Sequence, residues 1–387
     1  MTEDKSEPIY LDYAATAPLL PVVKNKMLEI MEMQATGQVS NPSSLYSAGQ
    51  RGKEILEEAR QNVAKLVNAD PSEIIFTSGG SEANNTVANI FSNQKIAISA
   101  IEHPAMLEAV KSRTHQYVEI PVDRWGFIEL AKIPKDSDLI SVMLANNELG
   151  TIEPILALVD AYKTKSSFIH TDATQALGKI HIDVRQLGID YMTLSAHKIG
   201  GPVGIGALYV KKDAPYRPLI MGGSQEHRRR AGTSNLLLAA GFGEAAKWAW
   251  DNWSCKQYAK VAHLRDRLRD RILNEIPYSS INSPNNNCLP NILNVSFQAA
   301  EGESIQLYLD LEGISISTGS ACAAGDLSPS HVIMATRHDA EVAHNSIRFS
   351  LGTNTTSADI EHVMNVLPKI IKKLQGMSTI KLKERHE

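Results

Sequence analysis

Tyr191-Met-Thr-Leu-Ser-Ala-His-Lys-Ile-Gly-Gly-Pro-Val-Gly-Ile-Gly-Ala-Leu-Tyr-Val210 sets two apolar runs, 191–194 and 205–210, on either side of a glycine-rich segment carrying one lysine, Lys198. Similar runs recur at Ile74–Thr77, Ile96–Ser99, 139–144 and 168–171. Several are continuous rather than alternating, the pattern of strands buried on both faces. They alternate with helical stretches, beginning with 52–68, where Ile55, Ala59, Val63, Leu66 and Val67 share one face. Strands alternating with helices predict an α/β fold with a mostly parallel central sheet.

Beyond Trp253 the pattern changes. A long charged helix places Val261, Leu264, Leu268, Ile272 and Ile276 on one stripe. A Ser/Pro/Asn-rich loop at 282–290 leads into a strand, Ile292–Phe297, and 359–374 forms a final amphipathic helix with a bend expected at Pro368. The expected organisation is a large domain over residues 17–255 and a smaller α+β domain made of 1–16 and 256–387. A chain of 387 residues, 43% of them hydrophobic, can bury a large core and a smaller one.

The formal net charge of −4 exerts no global pull toward nucleic acid or an anionic membrane, so neither is expected as a direct partner and a small soluble substrate is. Residues 1–8 are polar and acidic, and no run is long enough to span a bilayer, which predicts a cytoplasmic protein. The three cysteines, Cys255, Cys288 and Cys322, are too few for a disulfide framework or a spaced metal site, so any cysteine that matters acts as a thiol.

Lys198 follows a buried strand amid glycines that let backbone approach a ligand. Beside apolar walls its pKa can fall far enough to form a Schiff base, whereas a lone lysine at a loop mouth is ordinarily solvated. The strand 168–171 ends in Asp172-Ala-Thr-Gln175, a carboxylate at a second strand tip; capping the next helix is the common task of such an aspartate, and holding a ring nitrogen protonated is the other. Phe76-Thr-Ser-Gly-Gly-Ser-Glu-Ala-Asn84 runs from a strand through small residues into a helix whose N-terminal N–H groups suit a phosphate, nearest Gly80 and Ser81. Cys322 stands in Ser317-Thr-Gly-Ser-Ala-Cys-Ala-Ala-Gly-Asp-Leu-Ser-Pro-Ser330, a small-residue stretch that reads as an accessible loop, so its thiol is either an inert loop cysteine or a nucleophile.

Taken in order, these pieces resemble the fold-type I pyridoxal-phosphate enzymes and, within their class V aminotransferase family, the cysteine desulfurases of the NifS/IscS kind. The resemblance extends over Tyr10-Leu-Asp-Tyr-Ala-Ala-Thr16, Asn41-Pro-Ser-Ser44, Glu102-His-Pro104, Asn146-Asn-Glu-Leu-Gly150, Arg230-Ala-Gly-Thr233, Thr318-Gly-Ser-Ala-Cys322 and Ser346-Ile-Arg-Phe-Ser-Leu-Gly352. It implies conversion of L-cysteine to L-alanine with pyridoxal 5'-phosphate bound on Lys198. Asp172 would pair with the ring nitrogen, His103 would stack on the ring and move protons, and Asn147 and Gln175 would face the ring hydroxyl. Gly80, Ser81, Ser195 and His197 would hold the phosphate, joined by Thr233 from the neighbouring subunit of a homodimer. Arg348 would clamp the substrate carboxylate, and Cys322 would carry the sulfur as a persulfide to an acceptor protein serving iron-sulfur assembly or tRNA or DNA thio-modification. A selenocysteine lyase or related aminotransferase on the same scaffold, or a silent cofactor-binding assembly subunit, are the alternatives. Gly200, Val203 and Tyr46 depart from the family pattern, which has tyrosine, lysine and histidine there.

Overall fold

The computed structural model describes residues 8–163, 167–252, 257–318, 329–337 and 339–382. Its central sheet has seven strands, in the spatial order Ile74–Thr77, Gly206–Val210, Tyr191–Ser195, Phe168–Asp172, Leu139–Ser141, Ile96–Ser99 and Tyr117–Ile120. Gly206–Val210 runs antiparallel to both of its neighbours, and every other pairing is parallel. The two-residue period of a strand explains why the runs are apolar throughout: Ile74 and Phe76 enter one core, while Ile75 between them enters the core on the opposite face.

Helices cover both faces. Ser47–Leu66 packs against Leu236–Asn252 on one side, and Gly80–Ile90 packs against Pro104–Arg113 on the other. Beneath the latter pair, Phe91, Phe168 and Tyr191 meet with ring centroids 5.6 to 6.4 Å apart.

A separate core gathers Leu11 with Val261, Leu264, Leu268, Phe297, Phe349, Ile360 and Leu367. It is built from a four-stranded antiparallel sheet, ordered Ser317–Thr318, Ser346–Ser350, Ile292–Phe297 and Ser279–Ile281, and from the helices Gln257–Glu275, Gly302–Leu311 and Ser357–Met377. The last of these continues as one helix through Pro368. Ile9–Tyr10 pairs in parallel with Ile314–Ser315, and Asp12 bridges to Ser350, so the first described residues are laid against the last third of the chain.

Three elements differ from the sequence reading. Tyr117–Ile120 is an edge strand in which Val118 and Glu119 are exposed, so no apolar run marks it. Helix Pro21–Ala35 buries only Val23 and Ile30 and shows little apolar stripe. The strand expected at 139–144 is shorter, Leu139–Ser141, although the N–H groups of Val142 and Leu144 still donate to the carbonyls of His170 and Asp172.

Candidate active site

A cavity of about 340 Å³ opens where the ends of the parallel strands meet the helix start at Gly80 and the segment at Ala14. Of the residues singled out in the sequence, it brings together Lys198, Asp172, His103, Gln175, Asn147, Gly80, Ser81, Ser195, His197 and Arg348. Binding crevices beyond the carboxyl ends of parallel strands are the rule in such sheets. Six further lining residues escaped the sequence reading: Ala14, Ala15, Asn84, Met143, Ala145 and Thr174. The first two sit inside the quoted 10–16 segment; their own methyl groups carry no chemistry, and it is their backbone that matters.

Lys198 occupies the 3-10 turn Ala196–Ile199, which follows the strand Tyr191–Ser195. Its Nζ donates to the carbonyl oxygens of Ala14 and Ala15, both at 2.6 Å. Two glycines make the surrounding loop possible. Gly200 has φ +75° and a Cβ there would lie 2.5 Å from Leu20 Cγ; a Cβ on Gly206 would lie 2.5 Å from the Leu194 carbonyl and 2.8 Å from the backbone of Gly79. The first explains why this chain has no side chain at 200, since Leu20 fills that space. Val203 and Tyr46, the other departures, are largely exposed.

Both oxygens of Asp172 accept hydrogen bonds: Oδ2 from Asn84 Nδ2 at 2.7 Å and Oδ1 from the N–H of Thr174 at 2.9 Å. The local-turn role and a place in the cavity therefore coexist. The same holds for His103, which caps helix Pro104–Arg113 by accepting the N–H of Ala105 on Nδ1 at 3.1 Å. With Nδ1 an acceptor, the neutral ring carries its proton on Nε2. Burial lowers the His103 pKa, with Asp172 acting the other way. His197 meets Thr16 Oγ1 through Nδ1 at 3.2 Å, and burial together with the charges of Lys198 and Lys179 brings it down to about 4.

Behind the cavity lies Lys179, a residue the sequence reading passed over because it ends an ordinary turn. It is buried, and desolvation, followed by the charge of Lys198, lowers it to about 7. Its Nζ donates to the Gln175 carbonyl at 2.8 Å, while Gln175 Nε2 donates to the Ala14 carbonyl at 2.9 Å. Arg348 is 2% exposed; one nitrogen pairs with Asp12 Oδ1 at 2.8 Å, another donates to the Asn147 carbonyl at 2.9 Å, and Nε has no partner among the described residues. Glu102, fully buried next to His103, accepts the N–H of Met143 and is pushed well above the usual carboxylate range, chiefly by burial.

Thr233 does not line this cavity. It lies in another depression with Thr77, Ser78, Gly204, Glu226 and Arg230. Cys322, with Cys255, falls outside the described residues. Cys288 is half-buried near the Leu149 carbonyl, and desolvation pushes its thiol up to about 11, which suits a structural cysteine. No helix among the described residues is long and apolar enough to cross a membrane.

The site offers what a phosphorylated pyridine aldehyde requires. An amine and a carboxylate line one cavity. Helix Gly80–Ile90 starts without a side-chain cap, leaving its first N–H groups available to an anion, and the buried Thr174 Oγ1 has no partner among the described residues.

Comparison with known proteins agrees with the geometry. The cysteine desulfurase IscS of Dictyoglomus turgidum is 43% identical over 386 residues, covering 96% of this chain and 97% of the relative. The X-ray structure of a NifS-like protein from Rickettsia africae superposes with a TM-score of 0.84 at 32% identity, covering 95% of this chain and all of that one. SspA, solved in complex with cysteine, superposes at 0.76 and 30% identity, covering 90% of this chain and 100% of the other. The fold is accordingly that of the fold-type I enzymes. Residues 9–363 match the aminotransferase class-V family, and the chain belongs to it.

Proposed function

We propose that the protein is a cysteine desulfurase dependent on pyridoxal 5'-phosphate, which converts L-cysteine to L-alanine and holds the sulfur as a persulfide on Cys322. The observation carrying this reading is the convergence of Lys198, Asp172, His103 and Arg348 on one cavity, in a chain similar along its length to the cysteine desulfurase IscS of Dictyoglomus turgidum.

The cofactor, when bound, supplies an aldehyde that condenses with amines and a ring that accepts the electron pair left at a substrate's α carbon. Lys198 would hold it through Nζ, and Asp172 would hold the proton of the ring nitrogen. Gly80, Ser81, Ser195 and His197 would bind the phosphate, with Thr233 contributed by a second copy in a homodimer. His103 would pack on the ring, and Asn147 and Gln175 would border its hydroxyl.

Arg348 would receive the substrate carboxylate in a bidentate pair, exchanging its bond to Asp12 for one to the ligand. Nζ of Lys198 would then move the α proton. His103, kept largely neutral by burial, can take up the proton of the substrate thiol. The Cys322 thiolate attacks the substrate sulfur: an S–S bond forms, the carbon–sulfur bond breaks with its electron pair left on carbon, and protons delivered to carbon complete L-alanine. From Cys322 the sulfur passes to an acceptor protein for iron-sulfur assembly or tRNA or DNA thio-modification. The division into domains of 17–255, and of 1–16 with 256–387, belongs to the same reading and is supported by the separate core around Leu268 and Phe349.

The test is alanine release from L-cysteine by wild type, Lys198→Ala and Cys322→Ala. Both variants are expected to lose at least roughly a hundredfold in rate, as removal of a nucleophile or proton-transfer group does. Alanine release by Cys322→Ala at the wild-type rate would overturn the persulfide step, and the same result on selenocysteine alone would favour a lyase.

A further inference from the structure

We propose that Ser141, His170, Thr193 and Asn84 form a one-way hydrogen-bond chain that positions Asp172 against the cofactor's ring nitrogen; this rests on the reading of Asp172 given above. The chain crosses three adjacent parallel strands. Ser141 pairs in register with His170, and Asp172 pairs with Thr193, while the two-residue period puts His170 and Asp172 on one face of the sheet. Helix Gly80–Ile90 lies across that face and sends Asn84 into it.

The contacts are continuous. Ser141 Oγ lies 2.9 Å from His170 Nδ1, and His170 Nε2 lies 3.1 Å from Thr193 Oγ1. Thr193 Oγ1 then reaches Asn84 Oδ1 at 2.7 Å, and Asn84 Nδ2 reaches Asp172 Oδ2 at 2.7 Å. Ser141, His170 and Thr193 have no exposed surface and Asn84 is 1% exposed, so water cannot substitute for a missing partner.

Counting donors and acceptors fixes every proton. An ionised carboxylate only accepts, so Asn84 must turn its NH₂ toward Asp172 and its carbonyl oxygen toward Thr193. That oxygen needs a donor, which commits the single hydroxyl proton of Thr193. Thr193 must therefore accept from His170, making the ring the Nε2–H tautomer, and Nδ1 is left to accept from Ser141. Burial, opposed by Asp172, brings His170 down to about 4, so the ring keeps one N–H. Reversing any one link sets two acceptors or two donors face to face in a buried site. Asn84 is thus held with its donor toward Asp172, and the carboxylate is held in one orientation. Ser141, His170 and Thr193 are positioning residues, since none of them lines the cavity.

The experiment compares the affinity of the apo-protein for pyridoxal phosphate with that for its 1-deaza analogue, in which CH replaces the ring nitrogen, by equilibrium dialysis. Wild type is expected to prefer the natural cofactor, and Asp172→Asn to lose that preference. Thr193→Val should cut the preference roughly tenfold, the scale of one hydrogen bond to a charged group, and Thr193→Ser, which keeps the hydroxyl, should restore it. Asn84→Leu, removing the last donor, gives an independent second variant. If Thr193→Val and Asn84→Leu weaken both ligands equally and leave the ratio intact, the chain is only structural and the proposal is overturned. If Asp172→Asn keeps the wild-type ratio, the assignment of Asp172 falls first and the chain falls with it.

Discussion

Glu153 is 3% exposed, and burial raises its carboxyl to about 8 from the ordinary value of 4.5. Oε2 accepts the N–H of Ile128 at 3.1 Å, while Oε1 has no partner among the described residues. Between those two values the native state binds a proton that the unfolded chain has released, so stability falls as pH rises from about 4.5 toward 8. Glu153→Gln removes this titration and keeps the shape. Comparing unfolding free energies near pH 5 and pH 9, the variant should lose less stability than wild type by an amount on the order of a few kcal/mol; equal losses would show that the carboxyl ionises freely. Such groups show how legibility divides at the scale of single residues. Lys198 and Asp172 stand out in the sequence because each is a polar residue placed just after an apolar strand. Asn84, Lys179 and Glu153 do not, because one polar residue in a helix or turn looks solvated until the register of neighbouring elements encloses it.

Among elements, helix Ser47–Leu66 is tied to the sheet by a charge as well as by its apolar face. Arg60, 2% exposed, donates to both oxygens of Glu226 at 2.6 and 2.9 Å and to the Ile74 carbonyl at 2.9 Å. Glu226 also accepts the N–H of Phe76 at 3.0 Å, from a backbone with φ +46°. Glu226→Ala leaves the buried guanidinium with only the half-exposed Glu57, 3.2 Å from its Nε, as counter-charge, and is expected to cost about 3 kcal/mol, whereas Arg60→Met combined with Glu226→Leu should recover most of that loss. Denaturant unfolding measures both, and a single variant as stable as wild type would show that water reaches Arg60. The periodicity of this helix was readable in the sequence, but Arg60 on its buried side was not, since arginine ordinarily marks a solvated face. For the same reason Ser346–Ser350, a strand interrupted by the buried Arg348, is recognisable as a motif but not as an apolar run.

At the level of the whole molecule, Leu11 and Leu268 belong to one core and neither has exposed surface. Truncating either to alanine should cost about 2–5 kcal/mol. The two differ in reach, because Leu11 lies three residues before the Ala14 carbonyl that receives Lys198. Leu11→Ala is therefore expected to weaken retention of pyridoxal phosphate as well as stability, while Leu268→Ala should lower stability alone. Denaturant unfolding with equilibrium dialysis of the cofactor separates the two effects, and identical affinities would refute the linkage. The mostly parallel sheet and the change of pattern beyond residue 253 were visible in the sequence. The stitching of residues 9–12 to strands some three hundred positions later was not, because short segments take their pairing from partners far along the chain.

That stitching has a consequence for synthesis. Ile9 and Leu11 donate to the carbonyls of Gly313 and Ser315, and Tyr13 donates to Ser350. While a ribosome is still making the middle of the chain, none of these acceptors exists, so the floor under the lysine has nothing to rest on. A growing polypeptide can raise its sheet early, yet the segment leading to the Ala14 carbonyl under Lys198 gains its support only once residue 350 has been made.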